Sequence, residues 1–98
     1  MLKYNYPACL IRKQFEGFQI SVTAVAGVKT LTQVSKALSF MNTGAKTAYI
    51  TFDDEPVTTS SFALASGASI HFEHCQVEKI RHICGGTDVT TLNVMNLW

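Results

Sequence analysis

Apolar residues in this chain tend to recur at every second position. Phe18, Ile20 and Val22 alternate with Gln19, Ser21 and Thr23. Leu38, Phe40 and Asn42 share one parity of a later run. Ala48, Ile50 and Phe52 share one parity of the run after that, with Thr47, Tyr49 and Thr51 on the other. Successive side chains of a strand point to opposite faces, so this period predicts strands with one buried face. Between the last two runs lies Asn42-Thr43-Gly44-Ala45-Lys46. This predicts a tight turn with Gly44 at positive φ, and hence a hairpin from Leu38 to Phe52.

The same grammar continues on either side. Ala24 to Gly27 is a turn of small residues, and Lys29 to Val34 a second strand, with Ser35-Lys36 leading into the hairpin. Asp53-Asp54-Glu55-Pro56 ends the hairpin, because proline cannot donate to a ladder. A polar loop, Val57 to Ser61, precedes a short return to the core at Phe62-Ala63-Leu64 and a turn at Ser66-Gly67-Ala68. Ile70, Phe72 and His74 then alternate with Ser69, His71, Glu73 and Cys75. Val77, Ile80 and Ile83 recur at spacing three, and their β-branched character predicts a bulged strand rather than a helical turn. Gly85-Gly86-Thr87-Asp88 predicts a hairpin turn before a last strand carrying Leu92, Val94 and Asn96. The sum is an all-β antiparallel β-sandwich of about seven to eight short strands over residues 17–98.

Residues 1–16 show no clear period and predict an extended N-terminal arm. Pro7 biases Tyr6 towards extended geometry, and Cys9 to Lys13 is a short strand at most. Tyr4, Tyr6, Leu10 and Ile11 have no place in the strand pattern. Together with Trp98 they are the candidate partner-binding residues, expected to lie on another subunit.

Composition sharpens that expectation. Ninety-eight residues make one domain, and 47% of them are hydrophobic against 15% charged. A small domain has much surface, so part of this apolar content is expected to face a partner. The net charge is +1, and basic residues cluster only at Arg12-Lys13 and around Lys79 and Arg81. That is no footprint for nucleic acid. No signal peptide is visible, and no run approaches the roughly 20 apolar residues that span a bilayer, so no membrane role is expected. Cys9, Cys75 and Cys84 fit no paired spacing and read as buried reduced thiols, with a Cys75–Cys84 bridge across a hairpin as the alternative.

Candidate chemistry is sparse. His71, His74, Cys75, His82 and Cys84 are metal-ligand types, but on a strand His71 and His74 point to opposite faces. Only pairing of 69–75 with 77–84 would bring some of them together. Asp53, Asp54 and Glu55 lack the alternating oxygen ligands of a calcium loop and read as solvated turn charges. Tyr49, Phe52 and Trp98 would make a sugar platform only if they shared a face. No nucleophile–base pair can be placed, so no catalytic residue, metal or cofactor is expected.

The order of these features carries a resemblance. It comprises an apolar strand, the Asn42-Thr43-Gly44 turn and the strand Thr47 to Phe52, then a polar loop and Leu64-Ala65-Ser66-Gly67. Val77, Ile80 and Ile83, a Gly-Gly-Thr turn, and Thr91-Leu92-Asn93-Val94 complete it. Over residues 18–97 the chain resembles the small β-sandwich structural proteins of tailed bacteriophage particles, which decorate heads or sit on necks and fibres. The resemblance implies a virion protein made in the host cytoplasm, a head decoration or auxiliary protein that binds the major capsid protein and itself. It brings no catalytic residues. Closed rings are common among homo-oligomers, and a trimer is the first state expected. The alternative is a carbohydrate-binding module, or a component of the neck, tail or fibre.

Overall fold

A computed structural model of the chain describes residues 14–98. These residues form six strands and no helix: β1 (Phe15–Val22), β2 (Gly27–Asn42), β3 (Ala48–Phe52), β4 (Phe62–Leu64), β5 (Ser69–Cys84) and β6 (Thr90–Leu97). All six lie in one antiparallel sheet with the order β1-β6-β2-β5-β3-β4.

The pairing is nested. β1 pairs with β6, β2 with β5, and β3 with β4. The chain is therefore one long hairpin with β3–β4 at its tip. Rolling the hairpin adds the β2–β6 and β3–β5 ladders. Only β3 and β4 are neighbours both in sequence and in the sheet. The hairpins expected across Asn42–Lys46 and Gly85–Asp88 do not form. β5 lies between β2 and β3, and β2 lies between β5 and β6. Alternation assigns each side chain a face, but it does not choose the neighbouring strand.

The curl of the sheet follows from its register. β5 has 16 residues and would span about 50 Å if straight. Met41 pairs with Ser69 at its start, while Ala48 pairs with Cys84 at its end. The short link 42–48 reaches only about 20 Å. The two ends of β5 must therefore approach each other, and the sheet closes into a half-barrel. The bend lies where the β2–β5 register shifts, between Thr30 and Ser35 and again between Ser35 and Ala37. On β5 the irregularity includes His74, whose φ is +57°. Strands expected to stop at Ser35-Lys36 and near residue 76 run through these irregularities instead. Six strands replace seven or eight for that reason. The spacing of Val77 and Ile80 spans one of these irregularities, whereas Ile83 takes the opposite face, between the buried His82 and Cys84. The N–H groups of Glu78 and Lys79 both donate to Asp53 Oδ1, at 2.8 and 3.1 Å. Asp53 is thus a backbone cap rather than a solvated charge.

The inner face of the curl is the core. Val22, Leu38, Ile80, Leu92 and Ala48 are fully buried, and Phe40 and Ile50 nearly so. Burying each large apolar side chain contributes about 1.5–3 kcal/mol. Phe52 on β3 meets Phe40 of β2 at 6.1 Å between ring centroids and Phe72 of β5 at 5.3 Å. These contacts join the two halves of the rolled sheet across its interior.

Asn42 closes the roll. Its Nδ2 donates to Lys46 O at 2.6 Å and to Leu64 O at 2.8 Å. Its Oδ1 accepts from Gly44 N at 3.0 Å and from Thr90 Oγ1 at 2.7 Å. One buried amide thereby uses its full hydrogen-bonding capacity to tie β2 to β4, to the start of β6 and to its own turn. Gly44 has no positive φ; Gly67 and Gly86 do. Gly44 is needed for close approach instead, since a Cβ there would run into Thr90 and the Thr91 backbone nitrogen.

Phe15 and Glu16, expected in the arm, belong to β1, where they pair with Leu97 and Asn96. The candidate contacts Tyr4, Tyr6, Leu10 and Ile11, and the expected strand Cys9 to Lys13, lie outside the described residues.

Candidate functional site

The register sets one broad surface on the convex side. Gly17, Met95, Ser39 and His71 form a rung across β1, β6, β2 and β5. Gln19, Asn93, Met41 and Ser69 form another rung two residues away. Between them runs Phe18, Val94, Phe40 and Ile70. Phe40 and Val94 are buried, so the middle rung points inward and the flanking rungs outward. The two outward rows wall a trough of about 780 Å³ whose floor is the middle rung.

Local chemistry shapes this trough. Gly17 and Ser39 leave room that larger side chains would fill. Met41 and Met95 sit on the parity that should meet water, and are 47% and 39% exposed. Ser39 Oγ and His71 Nδ1 are hydrogen-bonded at 2.6 Å, which fixes the imidazole along the wall. Asn93 Oδ1 is buried and has no hydrogen-bond partner among the described residues. Of these residues the sequence singled out His71 alone, and as a metal-ligand type rather than as part of a surface. The available signal was methionine at positions 41 and 95, on the polar parity of strands whose other parity is apolar.

A second cavity of about 390 Å³ opens at the mouth of the half-barrel, lined by Ile50, Thr51, Phe52, Glu55, Phe62 and Phe72. Phe62 pairs with Ile50 across β3–β4 and so shares its inward parity, yet it is 47% exposed.

The candidate ligand residues are dispersed. Residues 69–75 and 77–84 are halves of one strand, so they do not pair with each other. His71 faces outward and His74 is exposed at the bend. His82 is buried and lies over Gly27, with Nδ1 lacking a partner. Desolvation holds its pKa below the ordinary histidine value. Cys75 and Cys84 are free thiols; Cys75 Sγ lies 3.7 Å from Ser35 Oγ, and Cys84 is buried. Burial, then the nearby charge of Asp88, push the Cys84 pKa up. Among the described residues no three His, Cys, Asp or Glu side chains converge. Tyr49 and Phe52 have opposite parity on β3 and share no platform. Trp98 is half-buried, its backbone N–H donates to Gln14 O at 3.0 Å, and it lines neither cavity.

No protein-family model matches the chain, and no curated protein matches it in sequence. Among solved structures, the chain is similar to a cupin-2 domain containing protein from Shewanella frigidimarina NCIMB 400. The match has a TM-score of 0.53 at 9% identity and covers 87% of this chain and 72% of that one. At that identity the likeness is one of fold. It agrees with the nested pairing, which is of the jelly-roll kind used by viral capsid, lectin and cupin domains. Such a fold serves enzymes and non-enzymes alike.

Proposed function

We propose that the chain is a non-catalytic structural protein that binds protein partners through the convex face of its β1–β6–β2–β5 half. The trough is the observation that carries this reading. It combines exposed methionines with small residues. A partner seated there would remove Met41 and Met95 from water. In this reading the rolled sheet is a two-layer β-sandwich that acts as a rigid platform.

The arm fits the same scheme. The described chain starts at Gln14, three residues before Gly17 on the trough wall. Tyr4, Tyr6, Leu10 and Ile11 would lie on the trough of a neighbouring copy, with a trimer as the first assembly to test. The resemblance to phage β-sandwich proteins supplies the setting, a virion whose major capsid protein is the second partner.

Light scattering on the full chain tests this reading, alongside Met41→Glu/Met95→Glu and a deletion of residues 1–12. We expect an oligomer that falls to monomers in both variants, with unchanged β-sheet circular dichroism. A full chain that is monomeric at tens of micromolar and binds no shell particle would refute it. Retention of a glycan by such a monomer would favour the carbohydrate-binding alternative.

A further inference from the structure

The mouth cavity shares no lining residue with the trough and has its own chemistry. Three of its six lining residues are phenylalanines. Phe52 and Phe72 meet at 90° with centroids 5.3 Å apart, and Phe62 meets Phe72 at 72° and 6.2 Å. Rings set at such angles turn π-faces and edges in more than one direction around the opening. A ring face is the negative end of its quadrupole and attracts cations. Among the described residues, Glu55 is the one ionisable side chain on the lining. Its turn is held in place, because Glu55 N donates to Phe52 O at 3.1 Å and Thr51 Oγ1 donates to Glu55 O at 2.6 Å. Asp54 adds a second exposed acid next to it, whereas Asp53 is spent on the β5 backbone.

We propose that this mouth binds a small methylated ammonium ion, with its methyl groups against Phe52, Phe62 and Phe72 and Glu55 as counter-charge. Two features favour that class over a plain apolar ligand. The first is the charge of the lining itself, where Glu55 is the ionisable side chain; the nearby cation Arg81 is held at the turn by Asp53 O. The second is the exposure of Phe62. An aromatic ring of inward parity on the edge strand β4 is left 47% exposed. A quaternary ammonium sheds its water more readily than a primary amine, so an aromatic wall with one carboxylate suffices to hold it. The cavity volume is also at the small end of the range of about 300–1,000 Å³ for ligand pockets, which suits a compact head group.

The experiment is an NMR titration of the full chain with tetramethylammonium and choline, against the neutral isostere 3,3-dimethylbutan-1-ol. We expect saturable shifts of the Phe52, Phe62 and Phe72 ring signals with both cations. The neutral alcohol should bind at least several-fold more weakly. Phe62→Leu should weaken cation binding by roughly 2- to 30-fold, the range of a cation–π contact. Glu55→Gln should also weaken it. Both substitutions are at exposed positions, and an unchanged circular dichroism spectrum would establish that they fold. Equal affinity for the alcohol and choline would overturn the proposal. So would ring signals that do not saturate at tens of millimolar cation, or a folded Phe62→Leu variant that binds as well as the parent.

Discussion

Replacing Asn42 with alanine tests how the roll is closed. The side chain makes four hydrogen bonds, and the structure separates them by environment. Those with Leu64 O and Thr90 Oγ1 are buried, while those with Lys46 O and Gly44 N are partly buried. Asn42→Ala leaves the buried pair without a partner, and each such group costs about 1–3 kcal/mol. The partly buried pair regains water and adds about 0.5 kcal/mol each. The expected loss is therefore about 3–7 kcal/mol, a large share of the roughly 5–15 kcal/mol that holds a domain folded. The thermal midpoint should fall by at least about 12 °C. Urea unfolding followed by Trp98 fluorescence and by far-ultraviolet circular dichroism reads the loss, with an unchanged m-value as the check on two-state behaviour. A second measurement isolates the Thr90 contact. Thr90→Val removes the orphaned hydroxyl, so the double variant should be less destabilised than the sum of the single variants by at least about 1 kcal/mol. A loss below about 1 kcal/mol for Asn42→Ala, or strict additivity with Thr90→Val, would refute the claim that this amide locks β2 to β4 and β6.

Gly44→Ala should destabilise by about 1–3 kcal/mol in the same urea assay, because its methyl group would meet the Thr90–Thr91 backbone, which cannot rotate away. A neutral result would mean that the turn has room the structure does not show. His82 makes stability fall in mild acid. Its folded pKa is depressed by burial, so below the ordinary value of about 6.5 the unfolded chain binds the proton more readily. The contribution of His82 is complete above that pH and is lost as pH falls through the folded pKa. The urea midpoint should drop between neutral pH and about pH 5. The drop should shrink in His82→Leu, and an equal drop in both proteins would assign it to other groups.

The face of many strand residues was legible in the sequence. Phe18, Ile20, Val22, Leu38, Phe40, Ile50 and Leu92 all take the inward parity that alternation assigns them, because side-chain direction along a strand is a local property. The turns at Ser66–Ala68 and Gly85–Asp88, the β4 return and the bulge between Val77 and Ile80 were legible for the same reason. Partner choice was not. Asn42–Lys46 has the composition of a hairpin turn, yet it carries the chain past β5 rather than back onto β2. Which strand fills the gap is decided by loop closure and by burial summed over residues far apart in sequence. Gly44 shows the difference at a single position. Sequence identified a glycine that the turn requires, and only the tertiary structure supplied the reason, contact with Thr90 and Thr91 nearly fifty residues on. The trough is tertiary in the same sense. Gly17, Ser39, His71 and Met95 come from four strands, and nothing short of the strand order places them on one rung.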